Sequence, residues 1–286
     1  MIQMPIGWGW DRLRVAAQSI GSHNDAEHWP GQAARTAVPA IRRIGIADLG
    51  AALNAGWRDF QANRTDVIFL CVLYPVVGLV LGRAASGYGF LPLVFPLASG
   101  FALLGPLAAL GLYEMSRRRE LGQETSWLDA FAVLRSPSIG AIALLGLSLV
   151  VLFLLWLGIA EALYLATLGP LPPASAGGFL HDVFATPAGW VMLVAGCGIG
   201  FLFALLVLAI ATVSFPLLLD RDLGVDAAVS TSWRAMRANP RPMLTWGAIV
   251  AAALVLGSIP LLLGLIVVLP VLGHATWHLY RRVVAD

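Results

Sequence analysis

The stretch SPSIGAIALLGLSLVVLFLLWLGIA, residues 136–160, decides the fold of this chain. It contains no charged residue, and from Leu144 to Leu157 it is apolar on every face of a helix. A run of about 20 such residues is what a helix needs to cross roughly 30 Å of hydrocarbon. The run has no period-two alternation, which excludes a transmembrane β-barrel. The sequence therefore predicts an all-α, polytopic transmembrane helical bundle.

Five further stretches are similarly apolar and bring the number of predicted spans to six; the first extends past Arg83 if that long side chain reaches the membrane interface. The spans cover about residues 67–85, 90–113, 136–160, 190–219, 243–259 and 260–280. The last two divide one uncharged stretch at the sequence GSIP, residues 257–260. The composition agrees, because 59% of the 286 residues are hydrophobic and 12% are charged, whereas about a quarter are charged in a soluble domain.

The basic residues predict the orientation. The chain has no lysine, and 17 of its 18 arginines precede span one, follow span six, or separate spans two from three and four from five. Only Arg83 lies on the other side. Because cytoplasmic segments carry the excess of basic residues, we predict a multi-pass protein of the bacterial inner membrane with both termini in the cytoplasm.

The first 40 residues contain no predicted membrane span. They have no apolar stretch of the kind that makes a signal peptide. We expect residues 1–40 to form a flexible cytoplasmic tail and residues 41–286 to form the membrane domain.

Two short segments that precede spans one and five are similar. Residues 51–63, AALNAGWRDFQAN, and residues 227–239, AAVSTSWRAMRAN, are identical at six of thirteen positions, including the Trp-Arg pair. In helical spacing Leu53, Trp57 and Phe60 share a face, and the arginines point away. Each segment is expected to be a helix in the membrane interface.

The ends of the following spans also match. Pro106 precedes Arg117-Arg118 by the same number of residues as Pro270 precedes Arg281-Arg282. A middle unit fits less closely, with residues 127–135 as its surface helix and Pro216 in the place of Pro106. We therefore predict three tandem units, each an interfacial helix followed by a helical hairpin, although limited composition can also produce such matches by chance.

These residues resemble a known family. The segment from Ile41 to Gly122, with AGWRDF at 55–60 and YEMSRRRELG at 113–122, is similar to a bacterial family of predicted six-span integral membrane proteins of unknown function. Members have sometimes been labelled cytochrome c oxidase subunits. The third unit, with FPLLLD at 215–220 and SWR at 232–234, also resembles the membrane domain of some glycerophosphodiester phosphodiesterases. The resemblance implies no catalytic motif.

The number and position of the histidines give little support for a haem or metal site. Of five in the chain, only His274 and His278 fall near membrane depth, four residues apart on one helical face. They could share a metal or present one haem ligand, but no other span supplies a second histidine. We expect interfacial histidines and predict no metal, no cofactor and no catalytic residue.

The residues that we predict to set topology or contact lipid are arginines and their tryptophan neighbours. The candidates are Arg117, Arg118, Arg119, Arg281, Arg282, Trp57, Arg58, Trp233 and Arg234. Such arginines can bind anionic headgroups or only set topology. Arg83 and Glu161 fall near the outer ends of their helices and form a candidate outer-interface pair.

The predicted function is accordingly a broad one. No nucleophile–base pair or carboxylate pair lies in a suitable environment, so we expect a non-enzymatic accessory or scaffold protein. A transporter or carrier of small molecules or lipids is an alternative, and an accessory partner of a respiratory oxidase is another. The expected partners are the lipid bilayer, including anionic lipids, and another membrane protein. A net charge of +2 without a continuous basic stripe argues against nucleic acid.

Overall fold

A computed structural model describes residues 39–62, 88–260 and 262–285 of the chain. The predicted first span, residues 67–85, lies outside these ranges, as does all but the end of the predicted tail. The conclusions below concern the described ranges.

The described residues form helices joined by short connections. The α-helices are α1 Ile46–Ala62, α2 Val94–Phe101, α3 Gly105–Ala108, α4 Leu110–Glu120, α5 Ile139–Thr167, α6 Ala176–Ala185, α7 Pro187–Ala211, α8 Ser214–Asp220, α9 Val225–Ala238, α10 Pro240–Ser258 and α11 Leu265–Val283. Three 3₁₀ helices cover Tyr88–Leu93, Ala102–Leu104 and Trp127–Arg135. Within these ranges β-structure is limited to one antiparallel bridge between Ile41 and Val284. The predicted all-α bundle is confirmed.

Among the described residues, four helical runs are long and apolar enough to cross a membrane. They are Leu91–Glu120, Ile139–Thr167, Pro187–Asp220 and Pro240–Ser258, and they correspond to predicted spans two to five. The sixth predicted span corresponds to α11, which begins at Leu265 and is not among these four. Two histidines and two arginines in its second half lower its hydropathy. The count of six spans stays a prediction.

Prolines interrupt two of the long runs. Ahead of Pro106 the helix tightens into the 3₁₀ segment Ala102–Leu104, and ahead of Pro216 a turn at residues 212–213 separates α7 from α8. Proline lacks the N–H that bonds to the carbonyl four residues earlier, and its ring crowds that carbonyl. Pro270, in contrast, lies within the continuous helix α11.

A glycine follows the end of α5, and side-chain caps begin the next two helices. The predicted third span stopped at residue 160, but α5 continues past Glu161 to Thr167. It ends ahead of Gly169, which has φ +93°, a conformation that glycine adopts without strain. In the connection between α5 and α7, Ser175 caps the additional helix α6 and Thr186 caps α7, each accepting a backbone N–H with its side chain.

The most completely buried side chains lie toward the arginine-bearing ends of the helices. Trp246, Trp277, Tyr113, Tyr280 and Phe215 are the largest of them. The middle of α5 and of α7 instead leaves many large apolar side chains exposed, including Leu147, Leu154, Val194 and Phe201. Such surfaces suit hydrocarbon rather than water.

Helix α1 packs closely along α11. Gly56 makes this approach possible, because a Cβ at this position would lie 2.5 Å from the backbone nitrogen of Ala275. Beside the two helices, the backbone N–H of Arg42 donates to the carbonyl of Val283 at 2.8 Å, and that of Ala285 donates to Ala40 at 3.0 Å. The segment that leads into α1 is thus fastened to the end of α11.

Candidate functional site

The carboxylate of Asp59 joins three helices at one point. Asp59 belongs to α1 and is only 6% exposed. Its Oδ2 accepts a hydrogen bond from Ser116 Oγ of α4 at 2.7 Å and another from His278 Nε2 of α11 at 2.8 Å. Ser116 Oγ also lies 2.8 Å from Nδ1 of His274, which is fully buried.

The proton positions in this cluster follow from its chemistry. A hydroxyl has one proton, and Ser116 donates it to Asp59, so the proton in the other bond belongs to Nδ1 of His274. Neutral His274 then has an unprotonated Nε2. This atom is buried without a hydrogen-bond partner in the described part of the chain.

Asp59 is ionised at neutral pH despite its burial. Burial by itself raises the pKa of this carboxyl, but the hydrogen bonds from His278 and Ser116 outweigh that effect and hold the pKa below its ordinary value of 3.8. Arg119 adds a positive charge, with its Nε 3.3 Å from Asp59 Oδ1. A compensated carboxylate can remain buried, whereas an unpaired one could not.

The hydrogen bonds of this cluster connect helices α1, α4 and α11 to one another. In an activated serine the histidine accepts the hydroxyl proton, but here His274 donates to Ser116. Both imidazoles are oriented toward Asp59, so the chain of hydrogen bonds positions His274 and the half-buried His278 and gives no proton path from one to the other. In the described ranges no three potential ligand residues of the His, Cys, Asp and Glu types come together as a metal site.

A cleft of about 260 Å³ opens beside the Asp59 cluster. It is lined by Ala55, Arg58, Asp59, Ser116, Arg119, Glu120 and His278. Its charged side chains are of both signs. The cleft therefore has little preference for an anion over a cation.

A second, larger cleft of about 460 Å³ is lined by Ala40, Ile41, Arg234, Arg237 and Ala238. Its charged lining residues are both arginines of α9. The leading segment before α1 provides the opposite wall. This cleft therefore favours negatively charged ligands.

The arginine run at the end of α4 is engaged within the protein. Arg117 donates to both carboxylate oxygens of Glu114, at 2.8 and 2.9 Å. Arg118 bonds Glu114 at 2.7 Å and Asp129 at 2.6 Å. Together with the pairing of Arg119 to Asp59, these contacts leave less of the run for lipid than the sequence suggests.

The arginines at the end of α11 are engaged as well. Arg281 donates to Glu120 at 3.0 Å and lies 3.6 Å from Asp220, while Arg282 bonds Asp48 at 2.7 Å. Neighbouring aromatic side chains use the same acids. Trp277 donates to Glu120 at 3.0 Å and Tyr280 to Asp220 at 2.6 Å.

The paired Trp-Arg segments lie at the surface. Trp57 is 44% and Trp233 is 47% exposed, and Arg58 and Arg234 are exposed too. Trp57 and Phe60 are in ring contact, with centroids 5.5 Å apart, as expected for a shared face, but Phe60 is buried and Trp57 is exposed. Close contact with α11 requires the small residues Ala52 and Gly56 on the packing side, which rotates Trp57 away.

The remaining sequence candidates have separate outcomes. Arg83 lies outside the described residues, so its pairing with Glu161 stays a prediction. His274 and His278 bond members of the Asp59 cluster, and their interfacial position stays a prediction.

Sequence reasoning missed Asp59, Ser116 and Asn239 as contact residues. One signal was present for Asp59: it stands where the second copy of the repeat has Ala235. A charged residue inside a helix, at a position where the other copy of the repeat has an apolar residue, indicates a specific contact in that copy. Asn239 is one of the six positions at which the two copies of the repeat are identical, whereas Ser116 carries no comparable signal, because serines are common near helix ends.

Comparison with known proteins supports the membrane assignment. Residues 94–220 match the family model described as "Predicted integral membrane protein (DUF2189)". The comparisons with curated proteins and with solved structures gave no match. Together with its four apolar helical runs, the match identifies the chain as an integral membrane protein embedded in a lipid bilayer.

Proposed function

We propose that this protein is a non-enzymatic accessory or scaffold protein of the bacterial inner membrane, with its arginine-bearing face in the cytoplasm. The observation that carries this proposal is the Asp59 cluster. Its carboxylate, hydroxyl, imidazoles and guanidinium bond one another and connect α1, α4 and α11. The polar groups that an enzyme would direct at a substrate are here directed at neighbouring helices.

The lateral surface supports a role based on contact. Leu147 and Leu154 of α5 and Val194 and Phe201 of α7 are exposed along helices that lie in hydrocarbon. Another membrane protein can pack on such helices through shape and close van der Waals contact. The expected partner is therefore a second membrane protein, with anionic lipid bound on the cytoplasmic face.

Site-specific photocrosslinking tests the scaffold role. A photoreactive amino acid at Leu154 or Phe201 is expected to give a discrete adduct with one membrane protein, which is then identified by mass spectrometry. The same probe at Leu149, which is fully buried, serves as the matched control. Adducts with lipid alone at both exposed positions would contradict the proposal, as would solute transport by the purified protein in liposomes.

Reporter fusions test the orientation. A fluorescent protein fused after Asp286 is expected to fold in the cytoplasm, and alkaline phosphatase inserted at Leu171 is expected to be active in the periplasm. Leu171 is well exposed in the connection between α5 and α6. The reverse pattern would overturn the orientation.

A further inference from the structure

The arginines divide into those that form an ion pair and those for which the structure shows none. Those at the ends of α4 and α11 form the ion pairs described above. Within the described ranges, the arginines for which the structure shows no ion pair are Arg42, Arg43, Arg58, Arg135, Arg221, Arg234, Arg237 and Arg241. Two of these, Arg234 and Arg237, line the same cleft.

Arg234 and Arg237 are three residues apart on α9 and therefore lie on one side of the helix. Both are exposed, and they face a cleft of about 460 Å³ whose other lining residues are Ala40, Ile41 and Ala238. The lining contains no acid. Two guanidinium groups without a neighbouring carboxylate form a site for a doubly contacted anion, and guanidinium geometry matches phosphate oxygens.

The opposite wall of this cleft is held in place by backbone contacts. Ile41 pairs with Val284, and Ala40 accepts a hydrogen bond from Ala285. Asn239, directly after α9, accepts from the N–H of Ile44 at 2.8 Å and donates to the carbonyl of Arg42 at 3.0 Å. The two walls are therefore fixed to each other before any ligand binds, which lowers the entropy cost of binding.

The position of the cleft relative to the membrane favours a lipid as its ligand. Helix α10, one of the four membrane-length runs, begins at Pro240, directly after α9 and Asn239. The cleft therefore lies where the chain enters the membrane, at headgroup level. Trp233, next to Arg234, is exposed there, and tryptophan side chains concentrate at this level of a bilayer.

We propose that the cleft formed by Arg234, Arg237 and the segment Ala40–Ile41 binds the phosphate of an anionic phospholipid of the cytoplasmic leaflet. This inference rests on the proposed orientation. It shifts lipid recognition from the paired run at residues 117–119 to the unpaired arginines of α9. The repeat counterpart of Arg234 is Arg58, whose cleft also contains Asp59 and Glu120, so Arg58 provides a matched control.

The test measures lipid-dependent thermal stabilisation of the full chain in a neutral detergent. Dioleoylphosphatidylglycerol is titrated against the wild type, the double variant Arg234→Gln/Arg237→Gln, and Arg58→Gln, with dioleoylphosphatidylcholine as the neutral lipid. The phosphatidylglycerol affinity of the double variant is expected to fall about 30-fold, since each arginine near a charged surface contributes roughly 1 kcal/mol. Arg58→Gln is expected to retain wild-type affinity.

Three results would overturn the proposal. The double variant could retain its preference for phosphatidylglycerol, or Arg58→Gln could lose as much affinity as the double variant. Soluble glycerol 3-phosphate could also stabilise the wild type at the same concentrations as the lipid, which would assign the cleft to a free phosphate. Equal melting temperatures of the variants without lipid show that each is folded. The reporter fusions above separate a failure of this site from a failure of the proposed orientation.

Discussion

Arg282 of α11 donates to Asp48 of α1, with 2.7 Å between Nη1 and Oδ1, and thereby joins the last helix of the chain to the first described one. The same contact occurs between Arg118 of α4 and Asp129 of the 3₁₀ helix Trp127–Arg135, at 2.6 Å. Arg118 and Arg282 are counterparts in the sequence repeat. Both acids also accept the backbone N–H at the start of their own helix, from Gly45 and Ser126.

A second contact recurs in the same way. Asn239, directly before α10, donates to the carbonyl of Arg42, and Ser138, directly before α5, donates to the carbonyl of Arg221 at 3.3 Å. Arg42 and Arg221 each lie three residues before the glycine that precedes a surface helix, Gly45 and Gly224 respectively. These repeated contacts support three related units in which the third closes onto the first.

Asp59→Asn is expected to destabilise the folded protein by about 2 kcal/mol, because hydrogen bonds to a buried charged group contribute about 1.5–3 kcal/mol. Thermal unfolding in detergent, followed by tryptophan fluorescence, measures the loss. Asp226→Asn in α9 is the matched control, since Asp226 is exposed and its replacement is expected to change stability by at most a few tenths of a kcal/mol. Equal stability of the two variants would contradict the assigned role of Asp59.

The stabilisation from Asp59 is expected to disappear only in acid. The pKa of this carboxyl is below 3.8 in the folded protein, so its contribution is fully present above the unfolded pKa and is lost as the pH falls through the folded value. The difference in stability between the wild type and Asp59→Asn should stay constant between about pH 7 and pH 5 and narrow below about pH 3.8. A difference that does not narrow below about pH 3.8 would contradict an ionised carboxyl in the folded state.

Gly56→Ala is expected to cost at least about 2 kcal/mol, the upper part of the range for overpacking, because the added Cβ meets backbone rather than a movable side chain. The contacts would be 2.5 Å to Ala275 nitrogen and 2.8 Å to its Cα. Gly50→Ala in the same helix has open space around the new methyl group and should stabilise by about 0.5–1 kcal/mol. Thermal unfolding of both variants measures this contrast, and a neutral Gly56→Ala would disprove the tight packing of α1 on α11.

Asn239→Ala is expected to loosen the segment before α1. The variant loses the bonds to Ile44 and Arg42 and leaves two backbone groups with fewer partners, which should accelerate tryptic cleavage after Arg42 or Arg43. Limited proteolysis with N-terminal sequencing of the fragments measures the rate. Asn54→Ala, at an exposed position of α1, should be cleaved like the wild type. Unchanged cleavage of Asn239→Ala would mean that the segment is held by its pairing with residues 283–285 alone.

The pair Arg282–Asp48 is expected to contribute little energy. Both side chains are more than a third exposed, at 41% and 34%, and exposed pairs usually contribute 0.2 to about 1 kcal/mol. A double-mutant cycle with Arg282→Gln and Asp48→Asn measures the coupling, which should decrease as salt is added. A coupling that is large and independent of salt would show that the pair is buried from solvent.

The sequence by itself was sufficient for the fold class and for much of the helix pattern. Apolar runs of membrane length predicted spans two to five, and the surface helix expected at residues 127–135 occurs at those residues as a 3₁₀ helix. The break expected at residues 257–260 is present, since α10 ends at Ser258. These features could be predicted because the free energy of transferring a helix into lipid depends mainly on the composition of that helix itself.

Only the tertiary structure decided the partners of the charged residues. Asp59 and His278 are 219 residues apart in the chain, and no pattern around either residue predicts their contact. The sequence suggested that Arg117, Arg118 and Arg119 face lipid, but packing places carboxylates beside them and leaves Arg234 and Arg237 unpaired. An ion pair requires a short distance between two side chains, and in this chain that distance is set by the packing of helices that are far apart in sequence.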